Sequence, residues 1–180
     1  MRFELDRAVP VLERTPGVLR ALLAGLPDEW IRATEGPETW SPFDVVGHLI
    51  HGERTDWLPR VEIMLRDGES RAFPPFDRFA MFEASEGRTL NQLLDEFAAL
   101  REASLERLRA LRLSQADLER PGRHPELGRV VLGQHLATWV AHDLSHIGQI
   151  VRVMGRQYAD AVGPWLTFLP MLQLERGARV

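Results

Sequence analysis

Residues 132–155 read LGQHLATWVAHDLSHIGQIVRVMG, and this stretch constrains the chain more than any other. Apolar residues recur there with the period of an α-helix, and Gly155 stands where a helix commonly ends in a left-handed cap, so one helix is predicted throughout. His142 and His146 are four residues apart, which on a helix stacks their rings on one face with Cβ atoms about 5–6 Å apart. A helix with that spacing offers two nitrogens to one metal ion. His135, Trp139, His142, His146, Gln149 and Val153 fall on a common stripe, with Leu136, Val140, Ile147, Ile150 and Val151 beside it, so the stripe faces inward. Two histidines do not close a metal site, and a third ligand has to come from elsewhere.

The rest of the chain supplies helices for that face to pack on. Two apolar-periodic pieces separated by Thr15 and Pro16 predict a short helical segment and then a helix over residues 16–26, with Thr15 as N-cap and Pro16 at the first helical position. Pro27 and Asp28 close it. Residues 33–40 read as a loop. Ser41, Pro42 and Asp44 then mark a helix start unusually well: a capping serine, a proline in the first turn and an aspartate in the capping-box slot. Its apolar pattern runs through Val46, Leu49, Ile50 and Trp57 and, past a kink at Pro59, to Ile63 and Leu65.

Residues 67–87, with Pro74, Pro75 and four phenylalanines, read as a long crossover covering one mouth of the bundle. Thr89 caps a third long helix through Leu108, whose Asp95, Glu96, Arg101, Glu102, Glu106 and Arg107 are expected on a solvated outer face. Ser114 and Asp117 form another capping box, a loop is expected over 121–129, and residues 158–170 predict a short helix against one end of the bundle. The last residues, 175–180, are expected to fray. No strand-like alternation is evident, and the pattern indicates an all-α bundle in a single domain over residues 1–180.

Composition narrows the chemistry. The 180-residue chain holds no cysteine, and every basic side chain other than histidine is arginine. That excludes a cysteine nucleophile, a thiolate metal ligand, a disulfide and a lysine Schiff base. A net charge of −4 without a basic run argues against a nucleic-acid partner. The charged N-terminus, MRFELDRAVP, and the lack of a long apolar window argue against a signal peptide or membrane span, and a cytoplasmic address is expected.

Any metal ligands must therefore be His, Asp or Glu. Six histidines are present. His48 lies mid-helix among Val45, Val46, Leu49 and Ile50, points toward the core, and is the expected third ligand; His51, three residues on, is the substitute. His135 lies two turns from His142, about 10.5 Å along the axis, so both cannot bind one ion. His124, beside Pro125, is expected to face solvent. Gly52 and Thr55 follow His48 by one and two turns on its face, the glycine leaving room for a ligand. Asp44 and Gln149 are candidates to hold an imidazole in its metal-binding tautomer, each equally readable as a plain capping or core residue. Trp139 reads as core filler ahead of a substrate wall. Glu53 and Asp143 are turned away from the ligand direction, and no general base stands out.

The segments WSPFDVVGHLIHGE, AHDLSHIGQI and AVGPW together resemble the DinB-like (DinB/YfiT-like) superfamily, over nearly the whole chain. The resemblance implies an up-down-down-up four-helix bundle and a divalent ion held by His48, His142 and His146. It also implies a homodimer and a small-molecule substrate, with activity as a transferase using a low-molecular-weight thiol or as a metal-dependent hydrolase. A bundle that binds metal or a small ligand without turnover is the alternative. Three imidazoles suit Zn, Ni, Fe or Cu, with Zn or Ni expected. An ion so held retains an open position, lowers the pKa of water and favours thiolate over thiol.

Overall fold

A computed structural model describes residues 3–173; the tail expected to fray at 175–180 lies outside the described residues. In chain order the helices are α1 (Leu5–Leu23), α2 (Asp28–Ile31), α3 (Pro42–Thr55), α4 (Trp57–Arg66), α5 (Ala80–Ser85), α6 (Leu90–Ala110), α7 (Leu132–Arg156) and α8 (Pro170–Gln173). Helices α1, α3 with α4, α6 and α7 build a four-helix bundle in which α1 and α3 each pack against both α6 and α7. The connectivity is up-down-down-up, so α3 and α6 run parallel and need a crossover between them.

Local signals start these helices where expected. Ser41 Oγ accepts the Asp44 amide, and the Asp44 carboxylate accepts the Ser41 amide at 2.9 Å. Thr89 and Gln92 repeat that exchange at the start of α6. Each pairing satisfies backbone donors that the first helical turn leaves open.

Other elements depart from expectation. The crossover contains a 3-10 turn, Gly68–Ser70, and α5, with Phe73 buried beneath it. The kink expected at Pro59 falls upstream as a break at Asp56, which puts Pro59 in the first turn of α4, where a missing amide hydrogen is tolerated. The expected loop at 121–129 is an antiparallel hairpin, β1 (Pro121–His124) with β2 (Gly128–Val131). Gly128 supplies the positive φ, 72°, that its three-residue turn needs. His124 is half-buried rather than solvent-facing, and its Nδ1 accepts the Glu126 and Leu127 amides in that turn.

At the far end α7 does not stop at Gly155 but runs on to Arg156. A Cβ on Gly155 would come within 2.6 Å of Met171, so the glycine serves the close approach of α8 instead of a cap. The helix expected over 158–170 is a 3-10 segment, Gly163–Phe168, followed by α8.

The core itself has two apolar halves. One gathers Leu12, Trp57, Leu58, Val61, Met64, Leu105, Leu108, Leu136 and Trp139; the other gathers Leu19, Leu23, Val46, Leu49, Ile50, Leu93, Leu94, Phe97 and Ile150. All four long helices pass from one half to the other, and where they cross, their inward residues are polar: Thr15, Glu53, Arg101 and Asp143 are all buried. Arg101, expected on the solvated face, is 1% exposed. Position 101 continues the stripe of Leu94, Phe97, Leu105 and Leu108, and periodicity placed it indoors despite its charge.

Its guanidinium uses all five N–H donors. Nε and Nη2 donate to Glu53 Oε1 at 2.9 and 2.7 Å, Nη1 and Nη2 donate to the two Asp143 oxygens at 2.6 and 3.0 Å, and Nη1 also donates to the Leu12 carbonyl at 2.8 Å. The last bond explains α1. The helix runs unbroken through Pro16, contrary to the expected break at Thr15. Proline has no N–H for the carbonyl four residues back, which is Leu12. Arg101 supplies the donor the proline lacks.

Two outcomes follow from this interior. Arg101→Met leaves two carboxylates buried without their cation, and urea titration should show about 3–5 kcal/mol less stability. His135, buried, donates Nε2–H to the Trp57 carbonyl at 3.0 Å, and burial pushes its pKa down to about 4. As pH falls from 6.5 toward 4 the unfolded chain takes a proton there that the folded chain refuses, so stability should drop with a slope approaching about 1.4 kcal/mol per pH unit. His135→Gln keeps a donor, and urea midpoints measured across this range in chelator should fall less steeply.

Candidate metal centre

The pinned start of α3 fixes the phase of the helix, so His48, 5% exposed, faces α7. From α7, His146 is fully buried and His142 half-buried. Their Nε2 atoms converge: His48 and His142 at 3.0 Å, His142 and His146 at 3.1 Å. A tetrahedral ion with Zn–N bonds of 2.0–2.1 Å separates its nitrogens by about 3.3 Å, so the spacing is that of a ligand set. Among the described residues this is the cluster whose ligand atoms lie close enough to hold one metal ion.

The protonation state agrees. Burial pushes His48 down to about 3, helped by the nearby charge of His146, and pushes His142 down to about 2, helped by His146 and His48. His146 is lowered by burial, with its bond to Gln149 opposing. All three imidazoles are thus neutral at physiological pH, the form that binds metals. Gln149 Oε1 lies 2.8 Å from His146 Nδ1 and can only accept, so Nδ1 carries the hydrogen and the Nε2 lone pair points into the cluster. The Nδ1 atoms of His48 and His142 are buried with no hydrogen-bond partner.

The other candidates lie elsewhere. His51 is outside the cluster; its ring rests on Phe76, with centroids 4.8 Å apart. Thr55 is exposed, and its hydroxyl donates to the His51 carbonyl at 2.8 Å. Gly52 leaves room for Trp57, whose indole nitrogen would sit 3.1 Å from an added Cβ. Trp57 in turn stands edge-on to His142, with centroids 5.0 Å apart. Asp44 is engaged with Ser41, not with an imidazole. Trp139 is fully buried, stacked on Trp57 at 5.6 Å. His135 holds the Trp57 carbonyl instead of a metal.

Several neighbours of the cluster were not anticipated. Trp40 lies against His48, with centroids 4.8 Å apart, and nearly parallel to His146 at 6.2 Å. It occupies the position just before an N-cap, where an apolar residue packs back onto the helix, and that signal is legible in the sequence. Its loop is tied down by Glu35, 8% exposed, which accepts from Arg152 Nε and Nη2 at 2.8 and 2.9 Å and lies 3.0 Å from Arg156. Phe76, from the crossover, stands edge-on to His48 at 5.5 Å. The crossover therefore covers the histidines with an aromatic ring.

Comparison with known proteins agrees with this geometry. YfiT from Bacillus subtilis, described as a probable metal-dependent hydrolase with an unusual four-helix bundle topology, is similar with a TM-score of 0.73 at 24% identity, over 84% of this chain and 86% of its own. A DinB-like protein from Bacillus cereus is similar with a TM-score of 0.57 at 16% identity, over 87% of this chain and 95% of its own. No curated protein matches. The DinB superfamily matches residues 11–150, from within α1 to within α7, and the chain belongs to that superfamily.

Proposed function

We propose that this protein is a divalent-metal-dependent enzyme acting on a small molecule, with His48, His142 and His146 as ligands, and that it transfers a low-molecular-weight thiol. The observation that carries the reading is the convergence of three neutral imidazoles on one point through Nε2. A Zn or Ni ion held there would act as a Lewis acid with a position left for substrate.

The chain's own residues do the rest. Gln149 holds His146 in the tautomer that leaves Nε2 free. Trp40, Trp57 and Phe76 pack their rings on the imidazoles and keep water from them. The buried carboxylates among the described residues, Glu35, Glu53 and Asp143, are all ion-paired with arginine. They are poorly placed to take a proton from water. A thiol needs no such base, because a cation favours its thiolate directly. With no cysteine in the chain, the thiol must arrive as a substrate. Hydrolysis is the second reading, supported by the description of YfiT; it would assign proton transfer to His51, which is close enough for its charge to lower the pKa of His48.

Elemental analysis tests the site: protein purified with Zn or Ni present should carry a stoichiometric ion, and His142→Ala should lose it. Wild-type protein devoid of metal would end the proposal. A panel of small thiols with electrophilic acceptors then separates the two reactions, since thiol transfer requires consumption of both partners and hydrolysis of one.

A further inference from the structure

We infer that Arg101 is the positioning residue of the three-histidine site: by clamping Asp143 and Glu53 it sets α7 against α3 and so fixes the separation of His48 from His142 and His146. This inference rests on the metal reading proposed above. The ligands come from two helices, and nothing covalent holds those helices in register. Asp143 is the residue after His142, inside the single turn that carries both α7 ligands, and Arg101 grips both of its oxygens. Glu53 lies five residues past His48 on α3, about 7.5 Å along the axis, and Arg101 reaches it with two further donors. The fifth donor goes to the Leu12 carbonyl of α1, so one planar group ties α6 to the other three long helices.

The guanidinium is itself held in place. Its carbon lies 5.0 Å from the ring centre of Phe97 and 5.0 Å from that of Trp139, one ring from each apolar half of the core. The clamp cannot shift toward either half without losing a ring contact. A metal site demands ligand placement to within about 0.5 Å, and a rigid fork bonded to the carboxylates of Asp143, next to His142, and Glu53, on the helix of His48, provides it. Lysine, with three donors on a flexible stem, cannot span the same partners.

The test uses conservative variants, Arg101→Lys, Glu53→Gln and Asp143→Asn, with Leu93→Ala, two turns from Arg101 on α6, as a control that loosens the core without removing a donor or acceptor of the clamp. Zn affinity is measured by competition with a chromophoric chelator, and Co substitution reports ligand geometry through its visible absorption, both well below the unfolding temperature of every variant. The expected result is a loss of roughly 10–100-fold in Zn affinity with an altered Co spectrum in the clamp variants, while Leu93→Ala loses stability but keeps both. If the folded clamp variants keep wild-type affinity and spectrum, or if Leu93→Ala shifts them equally, Arg101 is structural only and the inference is overturned. Should Arg101→Lys not fold, Glu53→Gln and Asp143→Asn decide alone. Wild-type protein that binds neither Zn nor Co overturns the metal reading together with this one; wild-type binding with unmoved variants overturns this one alone.

Discussion

The bundle depends on a charge buried at its centre. Removing an arginine and two carboxylates from water is unfavourable by several kcal/mol per ion, and the arrangement holds only when every donor finds an acceptor. Arg101 meets that condition with five hydrogen bonds to three helices other than its own. Because the partners come from α1, α3 and α7, the condition is met in one relative placement of the helices. Apolar packing alone would allow neighbouring placements at little difference in free energy, whereas a five-way hydrogen-bonded fork does not.

His142 and His146 flank the polar layer on α7, on either side of Asp143, and His48 meets them from the edge of one apolar half. That location has a chemical consequence. Burial keeps His48 and His142 neutral far below their ordinary pKa, which leaves Nε2 lone pairs available across the physiological range. The same burial that makes the carboxylates need Arg101 keeps the imidazoles in the neutral form that can bind a metal. The buried carboxylates Glu35, Glu53 and Asp143 are all paired with arginine.

The site was partly legible beforehand because its chemistry is written in local spacing. The four-residue separation of His142 and His146, the apolar flanks of His48 and the capping box of Ser41 and Asp44 each act within a few turns of one helix. Gln149 was legible for the same reason, as a polar residue one turn from His146. Arg101 was misread because its charge outweighed its position on the stripe, although Phe97 and Leu105 on either side marked that position as inward. Phe76 reaches His48 from the crossover, where no period announces a direction, whereas Trp40 is marked only by its place just before the N-cap Ser41.

What the sequence by itself determined is the bundle of long helices, the caps that start α3 and α6 and the inward faces that carry the histidines, since hydrogen bonding within a turn and a period near 3.6 depend on neighbours in the chain. Only the tertiary structure decided that a charged residue belongs in the core and that α1 continues through Pro16. Each of those outcomes turns on a partner far away in sequence: Arg101 is 48 residues from Glu53, 42 from Asp143 and 89 from Leu12. Whether a charge or a proline-freed carbonyl can be buried depends on what stands opposite it, and that is known only once the helices have met.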